Sequence, residues 1–302
     1  MNENFASEPN CCENMHEFRH FLERFGPYAG RYLIAYPKDW FKEVEAHIGS
    51  WGELDQVRAK TLLRRARENA AILTKPNLIW DGSKSWFDNA VERAVERDFD
   101  GIIIARRSDS LSRGNAHTCD DLEWPPTAEE RIIAIPEEYV RVSRFLLLIS
   151  YELFFIDPYL NPCKQSISSV IEKMLQVVAK GKCHRLVFWS RTSNIIDTRN
   201  GITLDDVENK LRKIISEIEF KHDFKLEFLL VDDDRSRERM HGRYLLSIKG
   251  GLRLDQGFQQ LSKGRKVEVG PVGRATHEEL IRIFLDGAHD IQIDHRININ
   301  VG

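Results

Sequence analysis

Hydrophobic positions along this chain change their rhythm from stretch to stretch, and the rhythm assigns the elements. Residues 31–37, RYLIAYP, read as a short strand stopped by its proline. Residues 57–73 carry Leu62, Leu63, Ala66, Ala70 and Leu73 on one side at helical spacing, leaving Arg58, Arg64, Arg65 and Arg67 for solvent. NLIWDGS, at 77–83, predicts a strand and a turn, residues 86–97 a helix, and Asp100-Gly101 followed by IIIA a buried strand. The polar stretch 106–130, with Pro125-Pro126, is either a long surface loop or an interdomain connection. A boundary near its end gives a smaller α+β region over 1–135 and a second domain over 136–302.

In the second domain helices and strands alternate. Residues 139–150 predict a buried helix, and LFFIDP after it lacks polar alternation, as a central parallel strand should. Residues 166–179 place Ile167, Val170, Ile171, Met174, Leu175 and Val178 at helical spacing. RLVFWS (185–190) is the next strand, and 203–219 the next helix, opened by Thr203 and Asp206 in capping-box order. KLEFLLVDD then leads into a charged loop, 232–239. This alternation predicts an α/β domain whose largely parallel sheet is flanked by helices. No internal repeat or low-complexity tract interrupts it.

Candidate chemistry concentrates in residues 240–258, MHGRYLLSIKGGLRLDQGF. In an extended strand residues i and i+2 share a face, so His241 and Arg243 point the same way and Gly242 leaves room beside them. An imidazole attacks phosphorus or shuttles a proton, and a guanidinium holds two phosphate oxygens as a planar fork. The alternative is an ordinary strand end with both groups in solvent. Asp157, where LFFIDP gives way to Pro158, either caps a turn or projects into the same crevice to orient the imidazole. Arg235, Arg237 and Arg239 offer a basic edge for a phosphate backbone, offset by Asp232, Asp233, Asp234 and Glu238. In GRATHEELIRIF, Thr276 and Glu279 have capping-box spacing, which puts His277 at the first helical position with Arg274 just upstream. Free amides and the helix dipole there favour an anion, unless the segment is simply a capped surface helix with an exposed histidine.

Composition narrows the field. At 302 residues and 42% hydrophobic content the chain can bury one large core or two modest ones. A net charge of −3 speaks against a protein that coats nucleic acid, so such contacts must come from a local patch. Five cysteines without regular spacing, apart from the Cys11-Cys12 pair, argue against a disulfide framework or zinc knuckle and for a reducing compartment. No apolar run approaches the ~20 residues of a membrane span. The first residues, MNENFASEPNCCENMHEF, lack the basic-then-apolar order of a secretion signal, so a cytoplasmic location is expected. There is no phosphate-binding glycine loop, dinucleotide fingerprint or nucleophile elbow. His289 and His295 lack partners at metal-binding spacing, leaving Asp232 to Asp234 as a minor alternative metal site. Neither a bound metal nor a cofactor is expected.

The residues around His241 resemble the phospholipase D superfamily, whose signature is a histidine, any residue, a lysine, four residues and an aspartate. Here Arg243 stands in place of the lysine and Ile248 in place of the aspartate. The chain is more similar to a divergent branch carrying His-x-Arg. That branch includes the C-terminal domain of proteins with a microtubule-interacting-and-trafficking domain, and bacterial proteins associated with phage defence. FFIDPYL, GGLRLDQGF and RATHEELIRIF fit the same branch, so the resemblance spans about the last 160 residues. It implies a phosphodiesterase, foremost a metal-independent nuclease in prokaryotic antiviral defence, or else an inactive module that binds nucleic acid, a phosphate-bearing ligand or a partner protein of a defence system. It further implies that His241 is the nucleophile and forms a phosphohistidine, with Arg243 clamping the phosphate. A second histidine would protonate the leaving oxygen. Either a second copy of the chain supplies it, making a homodimer, or His277 does so within one chain. Arg239, Arg274, Thr276 and Asp157 would line the substrate site.

Overall fold

A computed structural model describes residues 3–75, 77–105, 115–119, 129–196, 201–262, 264–285 and 291–301. The chain is an α/β protein that divides into two units, one over 2–127 and one over 128–302. Among the described residues no helix is long and apolar enough to cross a membrane.

The first unit is a parallel sheet. Its elements are β1 (Glu3–Ser7), α1 (Met15–Leu22), β2 (Arg31–Ile34), α2 (Trp40–Ile48), α3 (Glu53–Glu68), β3 (Ile72–Leu73), α4 (Trp86–Val95), β4 (Gly101–Ile104) and β5 (Ala116–Thr118). The strand order is β3-β2-β1-β4-β5, and every pairing is parallel. Helices fill crossovers of such a sheet, which makes this unit α/β rather than the α+β mixture expected from the pattern. Asn14 caps α1 through the amides of His16 and Glu17, both at 3.0 Å, and Ser85 caps α4 through the Asp88 amide at 3.1 Å. Phe5, Phe21, Leu33, Trp40, Ile48 and Ile103 are among the buried core. Two segments depart from the pattern. NLIWDGS forms no strand, because Ile79 and Trp80 stay 65% and 41% exposed. The helix predicted over 57–73 ends at Glu68, and Ala70 turns the chain at φ 57° so that Ile72–Leu73 can pair with Leu33–Ile34. The polar stretch 106–130 lies largely outside the described residues, and Ala116–Thr118 within it is a strand.

The second unit holds β6 (Glu130–Ile133), α5 (Pro136–Ile149), β7 (Glu152–Ile156), α6 (Gln165–Val178), β8 (Arg185–Arg191), α7 (Thr192–Ile195), α8 (Leu204–Ser216), β9 (Phe224–Asp232), β10 (Tyr244–Ser247), β11 (Gly250–Leu254), β12 (Lys266–Pro271), α9 (Arg274–Phe284) and β13 (Gln292–Val301). Because β6 pairs with β12, this unit begins at 128 rather than 136. The sheet order is β13-β9-β8-β7-β10-β11-β12-β6. Only β7, β8 and β9 are mutually parallel, and the other pairings are antiparallel. The sheet is therefore mixed, not largely parallel, since a turn between Ser247 and Gly250 is too short for a parallel crossover.

Both faces are covered, which explains strands without polar alternation. On one face Phe155, Phe188 and Phe228 pack with Ile171, Leu175 and Leu211 of α6 and α8. On the other, Phe154, Val187, Leu229 and Leu246 pack with Leu280, Ile283 and Phe284 of α9. Burying each such aliphatic or aromatic side chain is worth ~1.5–3 kcal/mol. The two layers hold the central strands still, and so fix whatever their ends carry.

Candidate functional site

The parallel strands β7, β8 and β9 end at one edge, and β10 begins there, since Tyr244 pairs with Ile156 in antiparallel register. Asp157 leaves β7 at this edge, Arg191 ends β8, Asp232 ends β9, and residues 241–243 enter β10. The carboxyl ends of parallel strands are where α/β sheets carry their chemistry.

Asp157 ties three distant segments together. It is 3% exposed; its Oδ1 accepts the Tyr159 amide at 2.9 Å and its Oδ2 the Phe258 amide at 3.2 Å. The Arg243 Nε lies 3.6 Å from Oδ1. Asp157 therefore both caps a turn and enters the crevice. Burial pushes its carboxyl above the ordinary value, against the two amide bonds and Arg243. Gly257 is required at this point: its φ is +69°, and a Cβ would fall 1.9 Å from the Asp157 Oδ2.

Arg243 is committed as much as presented. Besides Asp157, it donates from Nη1 to the Asp255 carbonyl at 2.6 Å, and its guanidinium lies 5.4 Å from the centre of the Tyr159 ring. His241 and Arg243 do line one shared hollow, with Tyr244, Arg253 and Glu268. Both precede β10 instead of lying within it. Gly242 is needed for the Tyr244 ring, which a Cβ there would meet at 2.1 Å, so the room beside it is already filled.

His241 itself is exposed and forms no hydrogen bond or ion pair with the described residues. It borders a cleft of about 390 Å³ lined by Arg191, Thr192, Ser193, Asp233, Arg239 and Asp294, among others. Arg191 donates from Nη2 to the Met240 carbonyl at 2.7 Å and pairs with Asp233 at 2.5 Å. Its Nε, however, is buried without a partner among the described residues, as are Trp189 Nε1, Ser190 Oγ and Thr192 Oγ1. Four successive residues at the end of β8 thus hold buried polar atoms with unused hydrogen-bonding capacity, each of which costs free energy if nothing meets it. One signal of this is present in the sequence, an apolar strand that runs on into Ser-Arg-Thr.

The acidic run beside the cleft has a structural role. Asp232 pairs with Arg235 at 2.5 Å, which holds its carboxyl below the ordinary value, and accepts the Asp234 amide at 3.0 Å. Asp233 accepts the Met240 amide at 3.3 Å. Among the described residues these carboxylates do not converge as a metal set.

The α9 residues lie elsewhere. This helix starts at Arg274 with Gly273 as its N-cap, so Thr276 is an exposed third residue instead of the cap, and His277 is 2% exposed. The His277 Nε2 is 2.8 Å from the Ser247 carbonyl, at the far end of β10 from His241. β10 is four residues long, roughly 13 Å at ~3.3 Å each, and His241 lies three residues beyond its other end, so His277 does not reach His241 within one chain. Arg274 pairs with Glu278 at 2.8 Å at that same remote end. The structure brings together Asp157, Arg239, His241 and Arg243, and sets Arg274, Thr276 and His277 apart as parts of the scaffold.

No protein family matches the chain, and no curated protein does. Four chains of known structure match. One is TrmBL2, an archaeal chromatin protein whose structure shows a novel mode of DNA binding; it is 10% identical over 82% of this chain and 86% of its own, with a TM-score of 0.28. That superposition is too loose to define a shared fold.

Proposed function

We propose that the second unit is a phospholipase D-like phosphodiesterase of the cytoplasm that acts on nucleic acid, with His241 as nucleophile. The observation that carries this reading is the cleft in which Arg191 and Thr192, each with a buried polar atom that has no partner among the described residues, lie beside an unengaged His241. An arginine N–H donates and a threonine hydroxyl donates or accepts, so the pair suits a phosphate oxygen. In the reaction, a His241 ring nitrogen bonds to phosphorus as the bond to the leaving oxygen breaks. That oxygen takes a proton from an acid, and water then removes the phosphoryl group from the histidine. With His277 remote, the acid is His241 of a second copy, which makes a homodimer the working form.

The cleft holds a small excess of negative charge: Asp232, Asp233, Asp234 and Asp294 outnumber Arg191 and Arg239 in its lining, with Arg235 paired to Asp232 and Asp294. Selection then comes from specific contacts instead of from long-range attraction. Labelled single- and double-stranded DNA and RNA, with and without EDTA, test the reading. Cleavage that persists in EDTA and is lost in His241→Ala supports it; cleavage that vanishes with EDTA and survives His241→Ala overturns it.

A second reading rests on Arg243, which is held by Asp157 and the Asp255 carbonyl and so is a constrained phosphate clamp. On that reading the unit binds a phosphodiester, or a partner protein of a defence system, without cleaving it. Salt-sensitive binding without turnover, weakened by Arg243→Ala, distinguishes it.

A further inference from the structure

The first unit carries a cluster that plays no part in the reading above. Cys11, Cys12 and Cys119 are 5%, 2% and 7% exposed, and their sulfur atoms all lie within 4.8 Å of one another. They come from the segments that follow β1 and β5, strands separated in the sheet by β4 alone. Among the described residues this is the one group of three candidate ligands that converges.

Cys11 Sγ and Cys12 Sγ are 3.8 Å apart. A tetrahedral zinc ion with sulfur bonds of ~2.3 Å sets its sulfur atoms ~3.8 Å from one another, so this edge already has the required length. The remaining edges need to close by no more than about 1 Å from the 4.8 Å limit. All five cysteines are free thiols, so none of these three is spent in a disulfide.

The loop bearing the pair is held from several sides. The Glu8 amide donates to the Ile103 carbonyl at 2.8 Å, the Cys11 amide donates to the Glu8 carbonyl at 3.1 Å, and the Glu8 carboxylate accepts the Ala105 amide at 2.9 Å. His47 Nε2 lies 2.8 Å from the Cys12 carbonyl, and the Cys119 thiol reaches the Cys11 carbonyl. Bonds of this kind, one step out from the sulfur atoms, orient metal ligands before the ion arrives. The place is also one where a parallel sheet opens: β1 is the strand from which the order winds both ways, and the buried Ser7 Oγ at its carboxyl end has no partner.

We propose that Cys11, Cys12 and Cys119 form a three-thiolate site for a thiophilic metal ion, zinc in the first instance. Binding Zn²⁺ releases the three thiol protons and forms three zinc–sulfur bonds, leaving a net charge of −1 on the ion and its sulfur ligands. No electron is transferred. The fourth position falls to a water, since no fourth ligand atom among the described residues converges with the three sulfurs.

The test uses the full chain purified under reducing conditions, reconstituted with Zn²⁺, then passed over a chelating resin. Metal analysis should find one zinc ion per chain in the wild type and in Cys163→Ser, and none in Cys12→Ser or Cys119→Ser. X-ray absorption of the wild-type zinc protein, which needs no variant to fold, should show a sulfur shell of about three atoms at ~2.3 Å. Cobalt in place of zinc should give strong thiolate-to-cobalt charge-transfer absorption that is lost in Cys12→Ser and Cys119→Ser. Zinc retained with a nitrogen- and oxygen-only shell overturns the proposal, as does wild-type protein that keeps no zinc, or cysteine variants that keep the wild-type content.

Discussion

Replacing Asp157 with asparagine tests whether this carboxylate holds the crevice together. An amide offers one acceptor oxygen where the carboxylate offers two, so either the Tyr159 or the Phe258 N–H loses its partner. A buried donor left unmet costs ~1–3 kcal/mol. The pairing with Arg243, 3.6 Å away and on a side chain 27% exposed, adds ~1 kcal/mol after screening. Relief of the carboxylate's burial, signalled by its raised pKa, offsets part of this, and a net loss of about 2 kcal/mol remains. Native-state hydrogen exchange reads it locally: protection of the Phe258 or Tyr159 amide should fall roughly 30-fold. A double-mutant cycle with Arg243→Ala should return a coupling of ~1 kcal/mol. Unchanged exchange at both amides together with a coupling near zero would refute the reasoning.

Three further outcomes follow from the same geometry. His277→Ala should lower stability by ~2–3 kcal/mol, by stranding the Ser247 carbonyl and leaving a cavity, while activity or binding per folded molecule stays at the wild-type level; lost activity with intact stability contradicts the structural role. His241→Ala, at an exposed position, should move the unfolding midpoint by no more than ~0.5 kcal/mol while abolishing turnover, as equilibrium unfolding beside an activity assay will show. At Glu227, burial opposes ionisation, but hydrogen bonds from Arg185 and Lys225 win and hold the carboxyl below its ordinary 4.5. The native state then takes up this proton later than the unfolded chain, so the stabilisation is present above pH 4.5 and lost as pH falls through the depressed value. Glu227→Gln should reduce stability at neutral pH and flatten the acid limb of a pH–stability curve.

Where one periodicity dominated, the sequence was legible. Six apolar positions over 166–179 define α6 at Gln165–Val178, and the Thr203–Asp206 capping box opens α8 as its spacing implies. Local chemistry misled at α9: the Thr276–Glu279 spacing fits a cap, yet β12 ends at Pro271 and the chain turns into the helix three residues earlier, carrying His277 under the sheet. Pairing was harder to read. Nothing in a two-residue run such as Ile72–Leu73 announces a strand, and only its partner Leu33–Ile34 makes it one. At the candidate site His241, Arg243 and Asp157 stood out as residues. That Asp157 engages Arg243 and the Phe258 amide could not be seen, because contacts at a separation of 101 residues leave no local spacing. The same holds for Cys119 beside Cys11 and Cys12.

The bond from the Phe258 amide to Asp157 also bears on the order in which the crevice is completed. Synthesis delivers β7, β8 and β9 first, then His241, and only afterwards the turn containing Gly257 and Phe258. Until that turn has left the ribosome, the Asp157 Oδ2 lacks its amide and the Asp255 carbonyl is not there to receive Arg243. Contacts closed so late and over so long a loop form among the last in folding. A nascent or truncated chain that stops short of Phe258 therefore carries His241 without the frame that holds Arg243, and the crevice is complete only once that turn has been made.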